Sequence, residues 1–492
     1  MTIMKDENMN PDDHYDLVVI GSGQGGNPLA NSFSDAGRRV ALVEQLHVGG
    51  SCVNEGCSPT KTIIASARVA HMARRATGYG VHSSDPAYAS SSPDAAIRVD
   101  MKRVRERKQK IVDRFRSGIE RGLDSAGVEL IRGHARFVAP LAIRISRTDG
   151  AGSPEGGRRI TAERIVVNTG LRPTIPALPG LADVDFLTST SIQELTELPE
   201  HLIVLGGGYV GVEFAQAYRR FGSEVTIVQR GDQLLQHEDA DIAEAVAGIL
   251  REDGIHLLRE TDAARVEPTG TGVRLIVRAA DGDDEATIAG SHLLVAVGRT
   301  PNSDHLGLDA AGIDTDDRGF VRVNERLETS AANVYAIGDV KGGPAFTHIS
   351  YDDFRILRTN LLEDGARTTA GRQVPYTVFI DPQLGAIGMT EREARAAGHR
   401  VRVARLPMSN VARAMEVDET RGVMKAIVDA DSGRILGARI LGIEGGEIAA
   451  VIQVAMMGDL PYTALRDGTF SHPTTAESLN NLFMRLEDVG AN

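Results

Sequence analysis

The sequence predicts an α/β protein in which two βαβ nucleotide-binding folds are followed by a C-terminal α+β region. Two copies of one pattern predict the first part. At 15–20 the β-branched run YDLVVI stops at GSGQGG, a helix-compatible stretch follows to Gly37, and a second apolar run, RVALVE, closes the unit. At 201–229 the same order returns: HLIVL, then GGGYVG, then VEFAQAYRRFG, then SEVTIVQ. From VPYTVFIDP onward short strands mix with helices such as EIAAVIQVAMMGD and no third glycine fingerprint occurs, which predicts the separate C-terminal region.

A lone GxGxxG says little, but here each instance lies between a strand signal and a helix signal. Gly21 and Gly206 allow the tight turn, Gly23 and Gly208 let a pyrophosphate approach the backbone, and Gly26 and Gly211 let the helix lie close to the strand. The helix N-terminus then faces the phosphates. Glu44 ends the second strand of the first unit, placed to accept hydrogen bonds from a ribose hydroxyl pair. The matching place in the second unit reads Gln229-Arg230, and the Arg230 guanidinium suits a 2′-phosphate, favouring NADPH over NADH. Three later apolar runs end on glycine: RIVVNTGLRP at 164–173, HLLVAVGRTPN at 292–302 and NVYAIGD at 333–339. Such turns return a loop to a bound cofactor, which makes Thr169, Gly170, Gly298, Arg299 and Asp339 candidates for cofactor binding.

The chain has 492 residues, enough for three or four domains, and its 53 glycines are partly accounted for by these turns. A net charge of -13 disfavours a nucleic-acid partner. The basic stretch KRVRERKQKIVDRFR at 102–116 is broken by Glu106 and Asp113 and reads as a solvated helix. No apolar run reaches the ~18–20 residues that cross a bilayer, and the start, MTIMKDENMNPDDHYD, is acidic, so no membrane partner and a cytoplasmic location are expected. The two cysteines, Cys52 and Cys57, are too few for a stapled secreted scaffold or a cysteine-based metal site. Four residues separate them in HVGGSCVNEGCSPTK, with Pro59 and Thr60 opening what reads as a helix. A helix N-terminus favours thiolate, so depressed thiol pKa values and a redox-active disulfide are expected.

Together GGSCVNEGCSPTK, the two GxGxxG units, AIGD and SHPTTAE resemble the class I pyridine nucleotide-disulfide oxidoreductases, which include glutathione reductase, dihydrolipoamide dehydrogenase and mercuric reductase. The resemblance runs from Tyr15 to the end. It implies a flavin-dependent homodimer built of two Rossmann-like dinucleotide-binding domains and a C-terminal α+β dimerisation domain. The expected boundaries are 1–175 for FAD and the redox-active disulfide, 176–295 for NAD(P)H, 296–370 for a central domain completing the FAD site, and 371–492 for dimerisation. It implies that Cys52 exchanges with substrate and Cys57 contacts the flavin, and that Lys61 beside the flavin pairs with Glu213. Tyr209 would cover the nicotinamide pocket until the nucleotide enters. Asp339 would bind the ribityl chain, Thr347 would contact the flavin, and Gly50 and Ser51 would line its site. His472 and Glu477 would form a proton-shuttling pair contributed by the other subunit, so monomers should be inactive.

The substrate expected is a small disulfide. Two further enzyme readings stay open: dihydrolipoamide dehydrogenase, weakened by Gln229, and a mercuric-reductase-like or oxidant-defence reductase of Hg or Cu ions. For the latter, FTHISYDDFRIL at 346–357 resembles mercuric-reductase-like and reactive-chlorine-resistance flavoproteins, but the tail FMRLEDVGAN lacks the extra cysteine pair that hands mercury to the active site. Gln236 stands where glutathione reductases carry a second arginine. A non-enzymatic redox sensor would need the cysteines but not Lys61, Glu213, His472 and Glu477.

Overall fold

The computed structural model describes residues 13–82, 97–146, 157–279, 282 and 284–488. The acidic start read above at 1–12 and the last residues of the tail, 489–492, lie outside the described residues. The backbone forms two compact units, each discontinuous in sequence: Met1–Pro59 with Arg107–Pro173 and Arg299–Arg372, and Thr60–Glu106 with Thr174–Gly298 and Gln373–Asn492.

In the first unit, His14–Ile20 is flanked by two parallel partners, Val40–Glu44 and Arg158–Val167. Glu129–Arg132 extends the sheet beyond Val40–Glu44, and Val334–Ala336 pairs in parallel with the end of Arg158–Val167. Ala142–Ser146 and His134–Ala139 add antiparallel strands. Alternation divides the central strand between two cores. Leu17 and Val19 pack with Leu29 and Phe33 of the helix Gly26–Asp35, while Val18 and Ile20 pack with Phe137, Ile143 and Val334. Burial on both faces is why this run reads as continuously apolar.

The second unit holds the second fold: a parallel sheet in the order His256–Leu258, Glu224–Val228, His201–Leu205, His292–Val295. Its helix Tyr209–Phe221 buries Val212, Phe214, Ala215, Tyr218 and Phe221. A three-stranded antiparallel sheet, Thr261–Pro268, Val273–Ala279 and Glu285–Gly290, covers a separate core of Ile203, Leu205, Val266, Leu275 and Leu293. The C-terminal part is a six-stranded antiparallel sheet that runs from Tyr376–Val378 to Leu486–Asp488, with the helix Gly445–Met457 laid on it through Ile448, Ala449, Ile452 and Ala455. This is the predicted α+β region.

The basic stretch at 102–116 does form a helix, Met101–Ser125, but it is not solvated throughout, because Lys108 is 1% exposed. Among the described residues no helix is long and apolar enough to cross a membrane.

Candidate active site

Both glycine fingerprints are built alike at the turn. Gly21 and Gly206 adopt φ of +99° and +108°, where a side chain would strain the backbone and meet the carbonyl oxygens of Asn168 and Ala296 at 2.4 and 2.5 Å. A Cβ on Gly26 would stand 2.6 Å from the Gly21 oxygen, and one on Gly211 only 2.0 Å from the Gly206 oxygen. The third glycine is therefore what brings helix to strand.

Around that turn the first fold is braced. The Glu44 carboxylate, 8% exposed, accepts the N–H groups of Ser22 at 2.9 Å and Leu46 at 2.8 Å. Asn168 accepts the Gly26 N–H at 2.9 Å and donates to the Ile337 carbonyl at 3.0 Å, tying the glycine loop to the strand that precedes Gly338-Asp339. Thr169 exchanges hydrogen bonds with Asn302, 2.8 Å through its hydroxyl and 2.9 Å through its carbonyl. Beside Gly170, φ +67°, space is open.

Cys52 lies in the short helix Gly50–Asn54, and the next helix opens at Cys57 itself, two residues before Pro59. Both cysteines carry thiols, Cys52 half-buried and Cys57 exposed, and the Cys57 Sγ lies 3.3 Å from the Thr347 hydroxyl at the start of the helix Thr347–Leu362. The loop has no slack: a Cβ on Gly50 would meet the Gly23 Cα at 2.9 Å. Asn54 holds it from inside, donating to the Val48 and Gly50 carbonyls, each at 2.9 Å, while its oxygen takes the Arg116 guanidinium at 2.7 Å. The expected depression of the thiol pKa is not met at Cys52. The hydrogen bond with Cys57, then burial, push that thiol above its ordinary range. As a dithiol, Cys52 needs a base.

These residues fit a flavin nucleotide. The Asp339 carboxylate accepts no hydrogen bond from protein among the described residues, and burial raises its pKa. Arg299, whose Nη2 donates to the Leu171 carbonyl at 2.9 Å, keeps a buried Nε with no protein partner. A carboxylate with no hydrogen-bond donor and a guanidinium with one unused N–H suit a hydroxylated, phosphorylated chain.

The second fold is open where the first is braced. Gln229, 9% exposed, occupies the place of Glu44 and accepts the Gly207 N–H at 2.9 Å, but nothing stands within 4 Å of where a Gly208 Cβ would be. Arg230 is exposed and makes no hydrogen bond or ion pair among the described residues. Gly298, φ +133°, gives its carbonyl to the Thr174 N–H at 3.0 Å. In the helix Tyr209–Phe221, Glu213 is buried, takes the Lys61 ammonium at 2.7 Å and accepts the Phe379 N–H at 2.8 Å. The Lys61 ammonium also lies 4.9 Å above the Phe379 ring. His472 Nδ1 is 2.9 Å from Glu477, its one side-chain partner among the described residues, and its side chain is 69% exposed.

The structure thus gathers Cys52, Cys57 and Thr347 in the first unit, and Lys61 with Glu213 and His472 with Glu477 as separate pairs in the second. Sequence reasoning missed Asn168, Asn54, Tyr376 and Phe379. Asn168 had a signal, since an amide directly after RIVV stands where the strand run ends; the others touch the site only through tertiary packing.

Comparison with known proteins agrees with this geometry. Residues 15–353 match the pyridine nucleotide-disulphide oxidoreductase family and residues 374–483 its dimerisation domain. The chain is 39% identical over 474 residues to the probable pyridine nucleotide-disulfide oxidoreductase RclA of Escherichia coli K12, covering 95% of this chain and 98% of that protein. It is 33% identical to mercuric reductase of Staphylococcus aureus, with 96% and 82% covered, and to dihydrolipoyl dehydrogenase of Thermus scotoductus, with 94% and 96% covered. Among solved structures, the Cu(II) complex of the HOCl-induced flavoprotein disulfide reductase RclA from Escherichia coli matches with a TM-score of 0.85 at 38% identity, over 97% of this chain and 99% of that one. LpdA from Mycobacterium tuberculosis matches with 0.83 at 27% identity, over 95% and 99%.

Proposed function

The chain belongs to the pyridine nucleotide-disulphide oxidoreductase family and is a flavin-dependent, homodimeric enzyme, and from that premise we propose that it passes electrons from NADPH to a small oxidised substrate through Cys52 and Cys57. The observation that carries this reading is the pair of thiols on consecutive helices, with the Cys52 thiol raised by Cys57.

Bound FAD supplies the two-electron relay between nicotinamide and dithiol; Glu44, Gly50, Ser51, Thr169, Arg299 and Asp339 would hold it. Cys52, deprotonated, attacks one sulfur of the substrate disulfide, forming a mixed disulfide and expelling the first thiolate. His472 of the partner subunit, oriented by that subunit's Glu477, takes the Cys52 proton and returns it to the leaving thiolate. Cys57 then attacks Cys52, releasing the second thiol and leaving the Cys52–Cys57 disulfide. Two electrons from the nicotinamide restore the dithiol. Lys61, fixed by Glu213, holds positive charge at the flavin edge, and Tyr209 covers the nicotinamide site until the nucleotide enters. Arg230, free to turn toward a 2′-phosphate, favours NADPH. The four regions are those bounded at 175, 295 and 370, and the location is the cytoplasm, where thiols are kept reduced.

A second reading is favoured by the Cu(II) complex of the similar RclA: a metal ion or oxidant as the acceptor. In this reading Cu(II) would meet the thiols of Cys52 and Cys57 as a substrate.

The deciding experiment measures initial NADPH and NADH oxidation by the flavin-loaded dimer against oxidised glutathione, lipoamide, mycothiol and bacillithiol disulfides, Hg(II) and Cu(II), with Cys57→Ala as control. Turnover with one disulfide that vanishes in the control establishes the first reading. Consumption with Cu(II) or Hg(II) alone replaces it with the second.

A further inference from the structure

Tyr209 does not lie against its own fold alone. Its ring meets that of Tyr376, centroids 5.5 Å apart and planes inclined at 34°. The Tyr376 hydroxyl donates to Glu238, and the second oxygen of Glu238 takes the Arg439 Nε at 2.7 Å. The Arg439 guanidinium in turn lies 5.8 Å from the Tyr376 ring centroid. Glu238 and Arg439 are 0% and 2% exposed, and Arg439 is satisfied further by the carbonyls of Ala438 at 2.9 Å and Ile387 at 3.2 Å.

A neighbouring cluster fixes the same stretch of chain. Lys425, 1% exposed, reaches Asp239 and Asp241 at 2.9 Å and Glu391 at 3.0 Å, and Asp239 accepts the backbone N–H groups of Glu391 and Arg392. Residues 238–241 are thus fastened to the C-terminal sheet by two buried cations, Arg439 paired with Glu238 and Lys425 held among three carboxylates. Against that rigid base Tyr376 is an ordered platform. Three residues on, Phe379 braces Glu213 and Lys61. The segment 376–379 therefore supports both ends of the first turn of the helix Tyr209–Phe221.

We propose that Tyr376 is a positioning residue for nicotinamide entry: its ring, held by Glu238 and Arg439, is the rest on which Tyr209 closes, and it sets how readily that gate opens. The inference rests on the reading of Tyr209 as the gate. A nucleotide that binds only the open state has its apparent affinity reduced by the open fraction. Stacking of two aromatic rings holds the closed state by a factor of about 2–12. Removing the rest should tighten the apparent binding of NADPH by a comparable factor.

The test is stopped-flow reduction of the flavin-loaded dimer over a range of NADPH concentrations, in the wild type, Tyr376→Phe, Tyr376→Leu, Tyr209→Leu and the double variant Tyr209→Leu/Tyr376→Leu. Tyr376→Leu is expected to lower the NADPH concentration for half-maximal reduction rate about threefold to tenfold, and Tyr376→Phe, which keeps the ring and cuts the tie to Glu238, about twofold. Oxidation of the dithionite-reduced enzyme by ferricyanide should stay unchanged, which a general structural defect would not allow. In the Tyr209→Leu background, Tyr376→Leu should add nothing. The proposal is overturned if Tyr209→Leu shifts the NADPH dependence while both Tyr376 variants leave it alone, or if the Tyr376→Leu effect persists without Tyr209. If Tyr209→Leu itself changes nothing, the gate reading falls, and the proposal with it.

Discussion

The two nucleotide folds share a glycine spacing and differ in what surrounds it. In the first, Glu44 and Asn168 brace the loop, and the Asn168 side chain fills the space at the middle glycine, Gly23. In the second, Gln229 makes a single tie and the middle glycine, Gly208, faces open space. The proposed function asks the first to retain its nucleotide and the second to exchange one. Equal motifs thus stand in unequal surroundings, and the difference lies in neighbours rather than in glycines.

The largest expected effect comes from closing the second fold at its tightest point. In Gly211→Ala the added methyl would stand 2.0 Å from the Gly206 oxygen and must push helix from strand. Overpacking costs about 1–3 kcal/mol, and a rigid backbone obstacle lies at or beyond the upper end, so NADPH-driven flavin reduction should fall roughly a hundredfold or more. Bound flavin, and reduction by dithionite, should stay as they were; loss of flavin would break the comparison.

Next comes the brace of the first fold. Asn168→Ala leaves the Gly26 N–H without its acceptor, and an unsatisfied buried donor costs about 1–3 kcal/mol. FAD should dissociate some tenfold to a hundredfold more readily, read as flavin absorbance per chain after gel filtration, while the reconstituted enzyme keeps its NADPH dependence. A smaller change makes the second fold resemble the first. Gln229→Glu sets a carboxylate beside Arg230 and the expected 2′-phosphate, and should shift the ratio of kcat/KM from NADPH toward NADH about tenfold, or ~1.4 kcal/mol. An unchanged ratio would remove the role given to this corner.

The smallest effect concerns acid. His71 lies against Arg220 in the last turn of the second fold's helix, and burial first, then that guanidinium, lowers its pKa to about 4. Because the folded value is below the ordinary 6.5, the unfolded chain binds the extra proton first, so the contribution is complete above about pH 6.5 and declines as pH falls toward 4. The melting temperature of the holoenzyme should drop between pH 7 and 5, and less steeply in His71→Gln; parallel slopes would show that His71 plays no part.

Much of this was legible in the chain because it is local. The strand–glycine–helix order, the Cys52–Cys57 spacing and the continuous apolar runs each reflect constraints between residues close in sequence. The Lys61–Glu213 pair could be expected only through family resemblance, since 152 positions separate them. Tyr376, Phe379 and Asn54 had no such guide: an aromatic in a short strand or an amide in a loop gives no sign of what it will meet. The thiol at Cys52 went against expectation because the helix effect reads from sequence, whereas burial and a second sulfur acting together do not.

The 2.9 Å between the Gly23 Cα and the missing Cβ of Gly50 also constrains how such an enzyme can change. With no spare volume between these two points, a side chain at Gly50 demands a shift of the backbone at Gly23, so the two positions can vary only together. Change of the kind that separates this chain from mercuric reductase and dihydrolipoyl dehydrogenase relatives, each 33% identical to it, must therefore either spare this pair or move both loops together.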